Sequence, residues 1–480
     1  MLFNSLEFII FFPIVVAAYF ALNQKYRWIL LLIASYYFYM AWNYKYIILI
    51  LISTTIDYFA GINIHKSNDT RLRKFLLIIS LSANLGLLFF FKYFNFFGDS
   101  INVLFSKFNI FYNVPAYHYL LPVGISFYTF QTMSYTIDVY KGKQTPERHF
   151  GRFALFVSFF PQLVAGPIER SVNLLPQFRK HHVFDYERVK NGILLMVWGF
   201  FKKVVIADRL AEYVNMVYNH PHDFGGLHNI VATFFFSFQI YCDFSGYSDI
   251  AIGSALIMGY SLMTNFRRPY LSMSIREFWQ RWHISLSTWF RDYVYIPLGG
   301  NRVVKWRWYY NLFITFLVSG LWHGAEWTFV IWGALHGFYL IFAIWTNGLR
   351  EKFNRFIGLM KHPRLYKTVQ VLVTFVLVYF SWIFFRANNM SDALLFIRRM
   401  FHFTGEGSLN VYHFHIDFYI AFASIFVLLL VEYLEEYINL YQKLRAAAPR
   451  TVKWALLVTV LLIIFVLGVW DEADFLYFQF

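Results

Sequence analysis

The chain has 480 residues, of which 59% are hydrophobic and 23% aromatic, whereas only 14% are charged. A soluble protein cannot bury that much apolar surface, so the composition excludes that class and predicts a polytopic membrane protein. The formal net charge is +15, but the basic residues lie in short loops between apolar runs. This pattern favours topology signals and contact with anionic lipid over nucleic-acid binding.

Two local features of the sequence exclude particular kinds of site and segment. Cys242 is the single cysteine, which excludes an intramolecular disulfide and any cysteine-based zinc or iron–sulfur site. Its neighbours are aromatic, so we expect a small buried hydrophobe. The N-terminus lacks a basic segment and a small-residue cleavage site. We therefore expect residues 8–20 to belong to a retained spanning helix rather than to a signal peptide.

Apolar runs recur from one end of the chain to the other. A spanning helix needs about 20 apolar residues, and the approximate runs of this kind are 5–22, 28–42, 46–64, 75–97, 118–140, 191–206, 229–262, 309–325, 327–347, 368–386, 415–432 and 453–470. The sequence therefore predicts an all-α fold of about 11–13 spanning or re-entrant helices. We expect one integral domain over residues 1–480.

The loops between the runs predict the orientation. Lys25, Arg27 and the basic stretch 65–74 are expected on the cytoplasmic side, and neutral or acidic loops such as 207–228 on the outer side. The run 150–166 lies between two basic segments, contains Pro161 and is followed by Pro167. A re-entrant hairpin explains that run better than a straight span.

A basic, Trp-rich segment covers residues 267–307. Between Ser274 and Tyr295 it predicts one or two amphipathic helices at the cytoplasmic interface, with Ser272 or Ser274 as the N-cap. This assignment places His283 near the cytoplasmic face, where contact with solvent or lipid headgroups is the simpler alternative to a functional role. Arg281 and Arg291 have the fork geometry that binds phosphates, but they also fit snorkelling topology anchors.

His323 lies inside an apolar run that begins near Trp308. Fifteen residues of helix place it about 22 Å along that run, at or beyond the middle of a bilayer. Titratable side chains are costly there and persist mostly for function. A neutral imidazole in such a place is suited to remove a proton from an attacking hydroxyl. The alternative is a helix-packing histidine bonded to a backbone carbonyl. We expect a catalytic helical hairpin over residues 309–347.

Other polar residues in apolar stretches are candidates for a substrate path. His336 repeats the His-Gly pairing of His323 and is expected to line the same cavity. Asp243 and Ser245 fit a proton relay or ion site, or ordinary hydrogen bonding between helices. Glu169 predicts a structured turn at the mouth of a cavity. The chain has no phosphate loop, nucleophile elbow or His-Glu-x-x-His motif, and we expect no bound metal or cofactor.

Several motifs are arranged in an order and spacing typical of one family. They are Leu121–Tyr128, Phe160–Ile168, Tyr241–Asp249, Phe278–Arg302, Gly320–Gly324 and Trp382–Ala387. With these motifs the chain resembles the membrane-bound O-acyltransferase superfamily, and most closely its bacterial branch that includes the membrane subunit of alginate O-acetylation. The resemblance covers almost the whole sequence and implies helices around a tunnel that opens to both faces of the membrane.

The resemblance also implies roles for particular residues. The active histidine of the family stands in a Leu-Trp-His-Gly context, which here is His323, and its polar partner about forty positions earlier is here His283. Many eukaryotic relatives have asparagine at the second position, so it stays open whether His283 positions the acyl carbonyl or transfers protons. We assign tunnel or substrate-binding roles to His336, Trp322, Trp282, Arg281, Arg291, Asp243 and Ser245.

By this resemblance we expect a bacterial inner-membrane O-acetyltransferase. It would take acetyl from cytoplasmic acetyl-CoA for O-acetylation of an extracytoplasmic, alginate-like polysaccharide, with an extracytoplasmic SGNH-type acetyltransferase as partner. Peptidoglycan O-acetylation and teichoic-acid D-alanylation from a carrier-protein thioester are alternatives. A transporter of acyl donors or glycans that performs no chemistry is the alternative from another class.

Overall fold

The structure is a computed structural model that describes residues 1–110, 114–117, 120–402, 409, 415–470 and 476. Its secondary structure over these residues is helical, without strands, so the predicted all-α class is confirmed. The described chain forms two compact units. The first consists of Met1–Met196 and Tyr247–Met263, and the second of Val197–Gly246 and Thr264–Leu476. The single integral domain expected from the sequence stays a prediction.

Helices that begin in the first unit cover most of its length. They are α1 (Leu6–Ala21), α2 (Gln24–Asn43), α3 (Ile47–Lys66), α4 (Thr70–Leu88), α5 (Phe94–Lys107), α6 (Ile125–Tyr140), α7 (Phe150–Ser158), α8 (Phe160–Leu163), α9 (Ser171–Leu174) and α10 (Tyr186–Phe200).

Helices that begin in the second unit include those that carry the predicted site. They are α11 (Asp208–Asn219), α12 (Gly226–Met258), α13 (Ile275–Arg281), α14 (Ile284–Phe290), α15 (Lys305–His323), α16 (Trp327–Trp345), α17 (Asn347–Phe356), α18 (Pro363–Arg386), α19 (Met390–Arg399), α20 (His415–Ile438), α21 (Leu440–Ala447) and α22 (Arg450–Leu467).

Six helical stretches of the described chain are long and apolar enough to cross a bilayer. They are Gln24–Lys66, Thr70–Lys107, Trp327–Trp345, Pro363–Arg386, Ile416–Ile438 and Arg450–Leu467. The protein is therefore a multi-pass membrane protein. The other predicted runs are also helical, but they are shorter or less apolar, so a total of 11–13 membrane-inserted helices stays a prediction based on the length needed to span.

Hydrogen bonds between polar side chains join three helices of the first unit. The fully buried Asp57 of α3 accepts from Asn84 of α4 at 2.8 Å and from Thr136 of α6 at 3.1 Å. Ser53 of α3 also donates to Asn84, at 2.7 Å. An apolar medium gives helices no hydrophobic reason to associate, so packing and such hydrogen bonds hold them together.

The run 150–166 is broken as its prolines predict. α7 ends at Ser158 and α8 begins at Phe160, with Pro161 in its first turn, where a missing backbone N–H costs nothing. The following motif begins with Ala165-Gly-Pro and leads to Glu169. The interruption is confirmed, and the re-entrant path through a bilayer stays a prediction.

Small residues let α15 and α16 pack closely as a hairpin. A Cβ on Gly320 would lie 2.3 Å from the carbonyl oxygen of Phe329, and one on Gly333 would lie 2.4 Å from that of Phe316. Only glycine fits at such distances. The hairpin places His323 at the last position of α15 and His336 in the middle of α16.

Candidate active site

His323 is enclosed by aromatic rings at the end of α15. Its side chain is buried, and its ring centroid lies 5.0 Å from that of Trp322, 5.0 Å from Trp332 and 5.4 Å from Phe385. An imidazole in this setting is shielded from bulk water, so a proton that it accepts from a substrate is not lost to solvent.

His283 lies beside His323, with 6.5 Å between the two ring centroids. The alternative of contact with solvent or lipid headgroups is wrong, because His283 is 0% exposed. Its expected position near the cytoplasmic face stays a prediction. The aromatic side of its segment packs inside the second unit instead of on a lipid surface. Trp282, for example, is fully buried with its ring 5.1 Å from that of Trp382.

Two short helices hold His283 between them. Ser274 caps α13 by accepting from the backbone N–H of Glu277, which confirms one of the two predicted N-caps. The chain then turns at His283, which has a left-handed backbone with φ of 42°, before α14 begins. Non-glycine residues rarely adopt that conformation, and strained residues of this kind cluster at functional sites.

Asn265 fixes the proton position on His283. The Oδ1 of Asn265 accepts from the backbone N–H of Ser285 at 3.3 Å, which identifies that atom as the oxygen. It lies 3.1 Å from Nδ1 of His283, so Nδ1 carries the proton and donates. A neutral His283 then has its lone pair on Nε2. Burial lowers the pKa of His283 to about 3, so the ring stays neutral at physiological pH.

The position of this proton bears on whether His283 positions the acyl carbonyl or transfers protons. A neutral ring with its proton on Nδ1 cannot donate a hydrogen bond from Nε2 to an acyl carbonyl. It can accept a proton there, with Asn265 holding the ring in place as the third member of a catalytic triad does. The geometry leaves Nε2 of His283 as a hydrogen-bond acceptor, and the role of His283 in the reaction stays a prediction.

His336 contacts the ring of Trp332, which His323 also contacts. Its centroid is 4.9 Å from that of Trp332, and the side chain is 0% exposed. The indole N–H of Trp279 donates to its Nδ1 at 3.3 Å. The structure thus brings His336, His323 and His283 into one aromatic cluster, together with the predicted Trp322 and Trp282. Their chemical roles stay predictions.

The two predicted arginines have acidic neighbours. Arg281 lies 2.7 Å from Glu277 and 3.0 Å from Glu436. Arg291 lies 2.8 Å from Asp292, and its side chain is 59% exposed. Both cations are therefore partly neutralised in this structure. A phosphate ligand would have to compete with these carboxylates, and phosphate binding stays a prediction.

Asp243 and Ser245 belong to a separate polar cluster with two buried lysines. Lys203 lies 2.6 Å from Asp243 and 2.8 Å from Asp208, while Lys202 donates to Ser245 at 2.9 Å. The lysines follow α10 in a π-helical turn, Phe201–Ala207. The contacts support the alternative of hydrogen bonding between elements, since each predicted residue has a cationic partner. The adjacent Cys242 is buried, as predicted.

Glu169 lines a cavity of about 580 Å³ within the first unit. The carboxylate is buried and accepts from the backbone N–H of Met263, while Lys180 and His182 lie on the same wall. Burial raises the pKa of Glu169 to about 7. The predicted structured turn at a cavity is confirmed.

Several residues of the aromatic cluster were not predicted from the sequence. Asn265 stands between an apolar run and two arginines, without a motif to mark it. Trp332 lies in an apolar helix, where tryptophan is ordinary, and Trp382 begins a family motif but was assigned no site role from the sequence. Their contacts in the fold bring both into the cluster. Among the described residues, no group of three or more histidine, cysteine or acidic side chains is placed to hold a metal ion.

Comparison with known families decides the class of the protein. The sequence profile of the membrane-bound O-acyltransferase family matches residues 148–388, half of the chain, and this range includes His283, His323 and His336. The chain belongs to the membrane-bound O-acyltransferase family. It is therefore an enzyme, a multi-pass membrane O-acyltransferase.

Named relatives extend the match over most of the sequence. A protein of Pseudomonas aeruginosa called "probable alginate O-acetylase AlgI" is 41% identical over 405 residues, 84% of this chain and 75% of the relative. The peptidoglycan O-acetyltransferase of Helicobacter pylori is 34% identical over 84% of this chain and 80% of its own length. The teichoic acid D-alanyltransferase of Bacillus subtilis is 30% identical over 44% of this chain and 55% of its own length. The resemblance to the bacterial, alginate-acetylating branch is thereby confirmed.

Proposed function

We propose that this O-acyltransferase takes acetyl from cytoplasmic acetyl-CoA in the bacterial inner membrane and passes it to an extracytoplasmic hydroxyl. The single observation that carries the proposal is the pair of buried histidines, His283 and His323, 6.5 Å apart inside the region that matches the family profile. The relatives that match most of the chain are named as O-acetylating proteins, which supports acetyl as the acyl group.

The proposed chemistry is one acyl exchange with balanced protons. His323 accepts the proton of the attacking hydroxyl while the hydroxyl oxygen bonds to the thioester carbonyl carbon. The carbon–sulfur bond then breaks, and the thiolate of CoA takes the proton and leaves as the thiol. General-base help of this kind is typically worth about a hundred- to ten-thousand-fold in rate. The neutral His283, with its lone pair on Nε2, relays protons beside it.

The proposed acceptor is an alginate-like exopolysaccharide, reached through an SGNH-type partner on the outer side. Relatives named for alginate O-acetylation are about 40% identical over most of this chain, and this is what supports the polysaccharide. Peptidoglycan is the second candidate, because the Helicobacter relative covers the same 84% of the chain. D-alanylation has less support, since its relative in Bacillus covers only 44%.

The identity of the donor is the most direct test of the proposal. Purified protein in lipid vesicles is given acetyl-CoA labelled in the acetyl group, and free CoA thiol is measured together with the label on added extracytoplasmic partner. We expect thiol release that matches the label transferred. D-alanyl carrier protein, supplied in place of acetyl-CoA, is expected to give no transfer.

The alternatives predict other results. A transporter would move label into or out of the vesicles without releasing thiol. A D-alanyltransferase would use the carrier protein and ignore acetyl-CoA. Either result would overturn the proposed donor and reaction.

A further inference from the structure

Three N–H donors in the aromatic cluster have no hydrogen-bond partner among the residues that the structure describes. They are Nε1 of Trp332, Nε1 of Trp382 and Nε2 of His336, and all three side chains are 0% exposed. Buried donors are almost always paired, because an unpaired one loses its bonds to water and gains nothing in return. Three such donors in one cluster call for an acceptor that enters it.

The bond from Trp279 shows that His336 Nε2 is a donor. An indole nitrogen can only donate, so Nδ1 of His336, which receives that bond, carries no proton. The proton of the neutral ring is then on Nε2. His283 has the opposite arrangement, since Asn265 keeps the proton on Nδ1. At Nε2, His283 therefore accepts a hydrogen bond, whereas His336 donates one.

Ring contacts place the three donor side chains in one cluster with the candidate base. Trp332 is in the centre, with centroid distances of 5.0 Å to His323, 4.9 Å to His336 and 5.9 Å to Trp382. Both Trp332 and Trp382 also contact Phe385, at 5.2 and 5.3 Å. The neighbours of these donors are mostly aromatic rings, so a ligand here meets neutral N–H donors and ring faces.

We infer that these three N–H groups bind carbonyl oxygens of the acyl donor, and that they include the group that stabilises the thioester oxygen during transfer. The inference rests on the proposed function and deepens it. A carbonyl oxygen is a neutral acceptor, so it suits neutral donors in a buried site, where a phosphate would bring an uncompensated charge. An acyl-pantetheine chain is thin and carries one thioester and two amide carbonyls.

Charge development makes these contacts useful for the reaction. When the hydroxyl attacks, the thioester oxygen gains negative charge, and fixed N–H donors in a buried site then bind it more strongly than in the ground state. The donors need no reorganisation, because Trp332 is packed between two histidine rings and His336 is held by Trp279.

A matched pair of unreactive ligands tests the inference. S-acetonyl-CoA carries a carbonyl near the sulfur, and S-propyl-CoA has the same carbon skeleton without the oxygen. Binding of both is measured by calorimetry to wild type and to Trp332→Phe, Trp382→Phe and His336→Leu. We expect wild type to prefer the acetonyl ligand about tenfold, which corresponds to one hydrogen bond. Each variant is expected to lose part of that preference and to keep its affinity for the propyl ligand.

Two further variants separate this role from packing. His336→Gln can accept from Trp279 and still donate, so it is expected to keep the preference that His336→Leu loses. Trp308→Phe removes an indole N–H that is already bonded to Tyr295 at 2.9 Å, and it is expected to change neither ligand's affinity.

The outcomes distinguish the inference from the proposed function. A wild type that binds both ligands equally, or variants that keep the full preference, would overturn the carbonyl site and leave the CoA donor intact. A wild type that binds neither ligand would overturn the CoA donor and, with it, this site.

Discussion

His283 and His336 differ in which ring nitrogen carries the proton, and one neighbour of each sets the difference. Asn265 accepts from Nδ1 of His283, whereas Trp279 donates to Nδ1 of His336. His323 contacts the ring of His283 and, like His336, the ring of Trp332. Three residues of the same type thus differ in their hydrogen-bonding character through their surroundings alone, which is what the proposed roles of base, second proton acceptor and donor require.

Glu169 makes the stability of the protein depend on pH. Burial raises its pKa from 4.5 to about 7, so between these values the folded protein binds more protons than the unfolded chain. The free energy of unfolding therefore falls as pH rises through this window. A shift of this size corresponds to about 3 kcal/mol. We expect the thermal unfolding midpoint in detergent to fall between pH 5 and 8, and to fall less in Glu169→Gln.

Glu187→Gln is the matched control for this prediction. Glu187 is 51% exposed and pairs with Lys190 at the surface, where an ion pair contributes little to stability. Its pH profile should follow that of wild type. A Glu169→Gln profile that also follows wild type would show that burial of Glu169 does not govern the pH dependence.

At the scale of elements, the sequence predicted where helices occur but not how the segments around His283 pack. Each apolar run became a helix, because an apolar medium leaves backbone groups no partner except one another. The stretch 274–295 became two short helices, as its N-cap and amphipathic pattern indicated. Its aromatic side was expected on the membrane surface, whereas Phe278, Trp279 and Trp282 pack against other helices of the unit. Its depth in a bilayer stays a prediction. A periodic pattern cannot distinguish these two apolar surroundings.

The α15–α16 hairpin depends on close approach at Gly320. A methyl group there would meet the Phe329 carbonyl oxygen at 2.3 Å, and overpacking of this kind costs about 1–3 kcal/mol. We expect Gly320→Ala to lower the thermal unfolding midpoint and the rate of acyl transfer, because the hairpin carries His323 and His336. Gly348→Ala is the control, since its Cβ would have no atom within 4 Å and alanine favours a helix. An unchanged midpoint in Gly320→Ala would contradict the close packing.

For the whole molecule, composition was enough to predict a helical, multi-pass membrane protein, and the resemblance supplied its chemistry. Neither predicted that Asn265, Trp332 and Trp382 would join the cluster that contains His283 and His323. These residues are far apart in sequence, and only Trp382 stands in one of the family motifs. Their meeting is a property of the second unit's tertiary packing. Asp243 and Ser245 are the opposite case. As polar residues in an apolar run they are conspicuous in the sequence, but in the fold they are bonded to lysines.

The rate of acyl transfer in His323→Gln tests the central claim most directly. Glutamine has a similar size and keeps a polar end, but it cannot act as a base near neutral pH. Protein in lipid vesicles is supplied with labelled acetyl-CoA and partner, and thermal unfolding shows that each variant is folded. His362→Gln, an exposed histidine before α18, is the control and should equal wild type. We predict a loss of at least about a hundredfold in His323→Gln, and equal rates in wild type and this variant would contradict the account.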